Sequence, residues 1–289
     1  MKIVSLLPAA TEIVCALGLE NELVGRSHCC DFPPPVIALP ALTRARVDDS
    51  QDSARLDEDV RRVMADGQPL YVLDEERLAS LGPDVVVTQE ACEVCAVSYD
   101  QVIGSLQRAA CPARVVSLRP SRLVHVLEDV ERVAEACGVP DNGVSVRAHL
   151  ERRLGDAAAT LAPTPRVAVI EWLAPPMLAG HWVPDALEAA GAVPVGLEAG
   201  VPSAYVEWDA IRGLGLDAVV VAPCGFDLER TRREAAPIMA TLHGVAPRVL
   251  LLDGNAYLNR PGPRLVDAVE TIAAWLAGKP VSPPRGLSV

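Results

Sequence analysis

Met1-Lys2-Ile3-Val4-Ser5-Leu6-Leu7-Pro8-Ala9-Ala10-Thr11-Glu12-Ile13-Val14-Cys15-Ala16-Leu17-Gly18 opens the chain, and its reading decides the fold class. A short apolar strand runs directly into an amphipathic helix. Pro8 suits the first helical turn, where a missing N–H costs nothing, and Gly18 suits the left-handed residue that ends a helix. The strand begins so close to residue 1 that a charged n-region, an apolar h-region and a cleavage site find no room, which predicts a protein without an export signal.

The same strand-then-helix unit recurs along the 289 residues. Continuous Val/Ile/Leu runs predict strands at 3–7, 23–26, 70–73, 84–88, 114–118, 166–170, 218–221 and 249–252. Runs without alternation are the signature of strands buried on both faces of a parallel sheet. Helical periodicity fills the intervals at 54–65, 98–110, 121–137, 184–190, 206–214 and 264–277, so the fold class is α/β. Residues 142–161 form a longer helical stretch bounded by Pro140, Pro163 and Pro165. The expected division is an N-terminal α/β lobe at 1–140, a connecting helix at 141–162, a C-terminal α/β lobe at 163–278 and a tail at 279–289. The Pro-, Asp- and Arg-rich stretch 33–52 reads as loop, and the three-proline tail as extended or disordered.

Composition narrows the function. Half the residues are apolar but only 3% are aromatic, so the core must be built from Val, Leu, Ala and Ile. The net charge of −12 argues against a nucleic-acid binder or an anionic membrane surface as partner. Apolar runs are strand-sized, short of the ~20 residues that span a bilayer. Eight cysteines without an export signal predict a reducing, cytoplasmic setting. Hydrolase triads, GxxxxGK[ST] and GxGxxG after a strand are not found, which removes the standard hydrolase, nucleotide and dinucleotide readings.

Three stretches carry a family resemblance: 5–18 with Leu23-Val-Gly-Arg26 and Asp31-Phe-Pro-Pro34, then Glu76-Arg-Leu-Ala-Ser-Leu-Gly-Pro-Asp-Val-Val-Val87, then Trp208-Asp-Ala-Ile-Arg-Gly-Leu-Gly-Leu-Asp-Ala-Val-Val220. In order and spacing they resemble the substrate-binding proteins of iron-siderophore and cobalamin uptake, the cobalamin-binding branch most. The resemblance implies two α/β lobes with mainly parallel sheets, joined by one long helix, with the ligand cleft between the lobes. It implies a monomeric binding protein, not an enzyme, whose ligand is cobalamin, another corrinoid or a related metal chelate. Family members also present an acidic residue on each lobe to arginines of an ABC permease. Glu76 matches the first such position and Asp209 the second, with Glu207 nearby.

Ligands in open α/β folds sit outside the carboxyl ends of the strands. The loops there hold Pro8 and Ala9, then Trp172, His181 and Trp182, then Tyr257 and Arg260. Indole faces suit a flat macrocycle and equally suit a lobe core short of other aromatics. His181 could reach a metal centre or stay a hydrogen-bonded loop residue. Tyr257 and Arg260 lie where the resemblance places ligand contacts; the Arg260 fork fits a propionamide or phosphate oxygen, or a neighbouring carbonyl. Cys92-Glu-Val-Cys95 is a CxxC, and with Cys30 and Cys224, or His28 in place of one, it offers a tetrahedral set for zinc or an iron–sulfur cluster. A redox dithiol and ordinary thiols are the competing readings of those cysteines. A metalloprotein with a thiol- or metal-dependent activity on a corrinoid is the alternative to the binding protein.

Overall fold

Alternate residues along β7 (Arg166–Leu173), β11 (Ala218–Val221) and β12 (Arg248–Leu252) go to different cores. Val167, Val169, Ala218, Val220, Leu250 and Leu252 share one cluster; Ala168, Ile170, Val219, Val221, Val249 and Leu251 share another. Side chains on a strand alternate in direction, so continuous apolar runs are what a sheet covered on both faces requires. The computed structural model describes residues 1–90, 97–157 and 162–289. The chain separates into two compact units. Unit 1 comprises Met1–Gln51, Glu58–Pro120 and Leu127–Ala148; unit 2 comprises Asp52–Asp57, Ser121–Val126 and His149–Val289.

The first half runs β1 (Ile3–Ser5), α1 (Pro8–Ala16), β2 (Leu23–Arg26), β3 (Thr43–Ala45), α2 (Ser53–Ala65), β4 (Tyr71–Leu73), α3 (Glu75–Leu81), β5 (Val85–Gln89), α4 (Tyr99–Arg108), β6 (Arg114–Leu118), α5 (Leu123–Ala136) and α6 (Pro140–Ala157). Unit 1 is built on a parallel sheet of order β2-β1-β5-β6, with Ile3 facing Val85 and Val87 facing Val116. Pro8 opens α1 and Gly18, at φ +77°, lets the chain leave it, both as its sequence requires. Val4, Leu6, Val86, Leu78, Val102 and Leu106 form a core on one face of the sheet.

The second half continues with β7, β8 (Pro176–Leu178), α7 (Val183–Ala189), β9 (Val193–Pro194), β10 (Ala204–Tyr205), α8 (Trp208–Arg212), β11, α9 (Leu228–Ala235), α10 (Met239–Val245), β12, α11 (Leu265–Leu276) and β13 (Gly286–Ser288). Its seven-stranded sheet has the order β10-β8-β7-β11-β12-β13, with β9 alongside β7. The β7–β11–β12 centre is parallel and the edges are antiparallel. Within this unit the segment 121–126 is held by Asp185, which accepts from Arg122 Nε (2.7 Å), Arg122 Nη2 (2.6 Å) and the Leu123 N–H (2.9 Å).

Three expectations are corrected. Residues 71–73 do not join the parallel sheet; β4 pairs antiparallel with β3 in a two-stranded ribbon, Thr43 facing Leu73. Only Leu73 of β4 is fully buried, so it lacks the two covered faces its apolar run suggested. The 33–52 stretch is not all loop, since it holds a 3₁₀ turn at Pro34–Ala38 and β3. The tail is not disordered throughout: β13 pairs with β12, and Ser288 Oγ accepts from Trp275 Nε1 at 3.1 Å.

Candidate functional site

In unit 2 the carboxyl ends of β7, β11 and β12 bring four loops together. Trp172, near the end of β7, packs at 5.1 Å on the ring of Phe226 from the loop after β11. The Arg230 guanidinium lies 3.6 Å over the Phe226 ring, a cation–π contact. Phe226 is almost wholly buried, so it is a fixed platform, and Trp172 Nε1 has no hydrogen-bond partner among the described residues. Asn255 N–H donates to the Phe226 carbonyl at 2.9 Å, tying that platform to the loop after β12.

That loop is a π-helical turn, Gly254–Leu258. Gly254 is required by close approach, because a Cβ there would stand 2.1 Å from the Pro223 carbonyl oxygen. Asp253 caps the turn, its carboxylate accepting from the Ala256 N–H at 2.7 Å. Burial pushes the Asp253 carboxyl above the usual carboxylate range, against the pull of these N–H donors and Arg260. Asn259 closes the turn by donating to the carbonyls of Ala222 (2.7 Å) and Gly254 (3.1 Å). Arg260 is buried and donates to Asn255 Oδ1 at 2.9 Å, so part of its fork is engaged inside the loop. Tyr257 is partly buried beneath the Arg264 guanidinium, and burial raises its phenol, which stays protonated and able to donate.

The β8–α7 connection meets the same turn. Trp182 Nε1 donates to the Leu258 carbonyl at 2.9 Å, and its ring packs against the core. His181 stacks on Trp182 with ring centroids 5.7 Å apart. Its backbone is held at φ +50° by bonds from His181 N–H to the Val201 carbonyl (2.6 Å) and from Gly200 N–H to the His181 carbonyl (2.9 Å). Non-glycine residues seldom occupy that region, and when they do the surroundings must enforce it. Burial lowers the His181 imidazole pKa, favouring the neutral ring at neutral pH. Unit 2 therefore assembles Trp172, His181, Trp182, Tyr257 and Arg260 around one set of strand ends. Phe226, Arg230 and Asn259 were not singled out from sequence; their position just after β11 and β12 was the available signal.

In unit 1, Pro8 is half-buried at the first turn of α1 and Ala9 is buried behind it. Cys30 is buried, its sulfur accepting from Thr11 Oγ1 at 3.0 Å. His28 lies against Thr43 and Cys29. In unit 2, Cys224 is exposed. Cys92 and Cys95 lie outside the described residues. Among the described residues no group of three or more His, Cys, Asp or Glu side chains is placed to hold a metal ion, and the zinc or iron–sulfur expectation finds no support.

The two acids expected to meet a permease differ in setting. Glu76 is exposed in the first turn of α3, behind Asp74, whose carboxylate accepts from the Arg77 N–H at 3.0 Å. Asp209 is exposed in the first turn of α8 and pairs with Arg212 three residues on. Carboxylates are favoured at such helix starts for local reasons as well.

No family model matches the chain. It is 22% identical over 284 residues to the vitamin B12-binding protein of Vibrio cholerae, covering 95% of this chain and 88% of that one. The crystal structure of the periplasmic vitamin B12-binding protein of Vibrio cholerae superposes with a TM-score of 0.68 at 20% identity, covering 96% of each chain. A periplasmic heme-binding protein from Pseudomonas aeruginosa superposes with a TM-score of 0.72 at 22% identity, covering 99% of this chain and 97% of that one. These relatives are binding proteins, not enzymes, and the thiol-enzyme alternative has no counterpart among them.

The same comparisons overturn the expected cytoplasmic location, because the solved relatives are periplasmic proteins. A cysteine count does not by itself report the compartment, because burial can keep a thiol protonated, as it raises Cys15, to about 11, and Cys137. The resemblance itself extends over nearly the whole chain, which has the two-lobed α/β fold of the periplasmic substrate-binding proteins.

Proposed function

We propose that this protein binds a corrinoid of the cobalamin class without transforming it. The observation that carries the reading is the match to a vitamin B12-binding protein along 95% of the chain. The aromatic cluster at the strand ends of unit 2 supports it, in a chain with few aromatics. A corrin carries amide side chains around an apolar ring, so it needs a flat hydrophobic support and polar groups at its edge. Trp172 supplies the indole surface and a donor with no partner among the described residues; Tyr257 and Arg260 supply polar groups; His181, stacked on Trp182, supplies an imidazole. Within unit 1 we assign Pro8 and Ala9, which follow the carboxyl end of β1, to ligand binding.

Heme is the second reading, favoured by the superposition on a heme-binding protein. Glu76 and Asp209 are the acids we assign to docking on an ABC permease, with the protein acting as a monomer. Titration of cobalamin into the protein while following tryptophan fluorescence tests the ligand reading. Saturable quenching is expected, with Trp172→Ala weakening binding by about 1–3 kcal/mol. No quenching and no heat of binding at micromolar protein would reject it.

A further inference from the structure

Beyond β2, the sequence Ser27-His28-Cys29-Cys30 places a histidine and a cysteine side by side, and the hydrogen bonds around them fix which ring nitrogen faces the sulfur. Thr43 Oγ1 lies 3.1 Å from Ser27 Oγ. It accepts from the His28 backbone N–H at 3.0 Å and lies 2.6 Å from His28 Nδ1. With Nδ1 held on Thr43, Nε2 is the ring nitrogen left for the cysteine, and the tautomer with the hydrogen on Nδ1 is the one in which Nε2 can take a proton. Nε2 faces Cys29 Sγ at 3.3 Å. Ser27 Oγ also accepts from the Cys29 N–H at 3.3 Å, so the hydroxyl that anchors Thr43 also positions the cysteine backbone. The Tyr71 ring lies 5.5 Å from the imidazole.

We propose that Cys29 is a reactive thiol, activated by His28 Nε2, and that it takes up small disulfides as a mixed disulfide. The arrangement has the parts a nucleophilic thiol needs: a cysteine that is not fully buried, a base in contact with its sulfur, and a third group that orients the base. In the reaction His28 Nε2 accepts the Cys29 proton, and the sulfur attacks one sulfur of the incoming disulfide. The incoming S–S bond breaks as the new one to Cys29 forms. The released thiolate takes the proton back from His28, so the exchange needs no reagent beyond the disulfide. The neighbouring cysteines lack this setting. Cys30 is buried on Thr11, and burial holds Cys15 and Cys137 protonated.

The test is incubation of the intact, folded protein with oxidised glutathione, with peptide mass mapping of each cysteine over time. Cys29 is expected to gain one glutathione at least about ten times faster than Cys15 or Cys137. His28→Ala should slow Cys29 about tenfold or more at unchanged circular dichroism, and added imidazole should restore part of the rate. If His28→Ala does not fold, Thr43→Val replaces it: loss of the orienting hydroxyl should slow Cys29 without removing the histidine. Cys29 reacting no faster than Cys15, or reacting equally fast in the folded His28 or Thr43 variant, would overturn the proposal.

Discussion

Two tryptophans that look alike in sequence differ in how their N–H groups are used. Trp182 donates to the Leu258 carbonyl and packs on the core, so its first duty is structural. Trp182→Phe, which keeps the ring but loses the donor, should lower stability by about 1 kcal/mol in urea unfolding. Trp172 leaves its N–H unmatched among the described residues, beside the Phe226–Arg230 stack, and we assign it to the ligand. Sequence could name both residues, because loops after strands are few, but could not divide their roles, which depend on a carbonyl 76 positions away.

Asp129 of α5 gives a second test at this scale. It is fully buried, and burial outweighs its ion pair with Arg132, raising the carboxyl to about 7. The unfolded chain loses that proton near pH 4, whereas the folded protein keeps it to about pH 7. Between those values the folded state binds the extra proton, so stability must fall as pH rises from about 4 to 7. Asp129→Asn cannot ionise and should flatten that part of the profile, becoming more stable than the parent at pH 8. Parallel stability curves for the two proteins from pH 4 to 8 would contradict the assignment.

Among the elements, legibility followed burial. The runs that became β5, β7, β11 and β12 were readable because a strand covered on both faces must be largely apolar. The edge pieces were not. β9 and β10 have two residues each and β13 three, too few to show a period, and they are defined by what they pair with. The stretch that holds β13 reads as an extended or disordered tail, because its prolines are local while its pairing with β12 is distant in sequence. Deleting residues 280–289 should therefore expose the β12 edge and Trp275, lowering the melting temperature by several degrees rather than leaving it unchanged. At α3 the Asp74 cap was not anticipated, although an Asp three residues before its bonded N–H is an N-cap pattern. Asp74→Ala should cost about 1 kcal/mol.

For the molecule as a whole, the fold was legible because one pattern repeats, a buried strand followed by an amphipathic helix, from β1–α1 through β12–α11. The ligand was legible only through resemblance, since the same fold holds B12- and heme-binding proteins and fold alone does not fix a site. The location was misread, because cysteine count stood in for thiol chemistry that burial controls residue by residue. The metal expectation depends on Cys92 and Cys95, which lie outside the described residues, and among the described residues no group of three or more His, Cys, Asp or Glu supports it. Equilibrium dialysis of the purified protein against cobalamin and, separately, hemin puts the corrinoid assignment to the most direct test. Saturation at one cobalamin per chain, tighter than hemin, is the expected result; retention of hemin with no retention of cobalamin would contradict it.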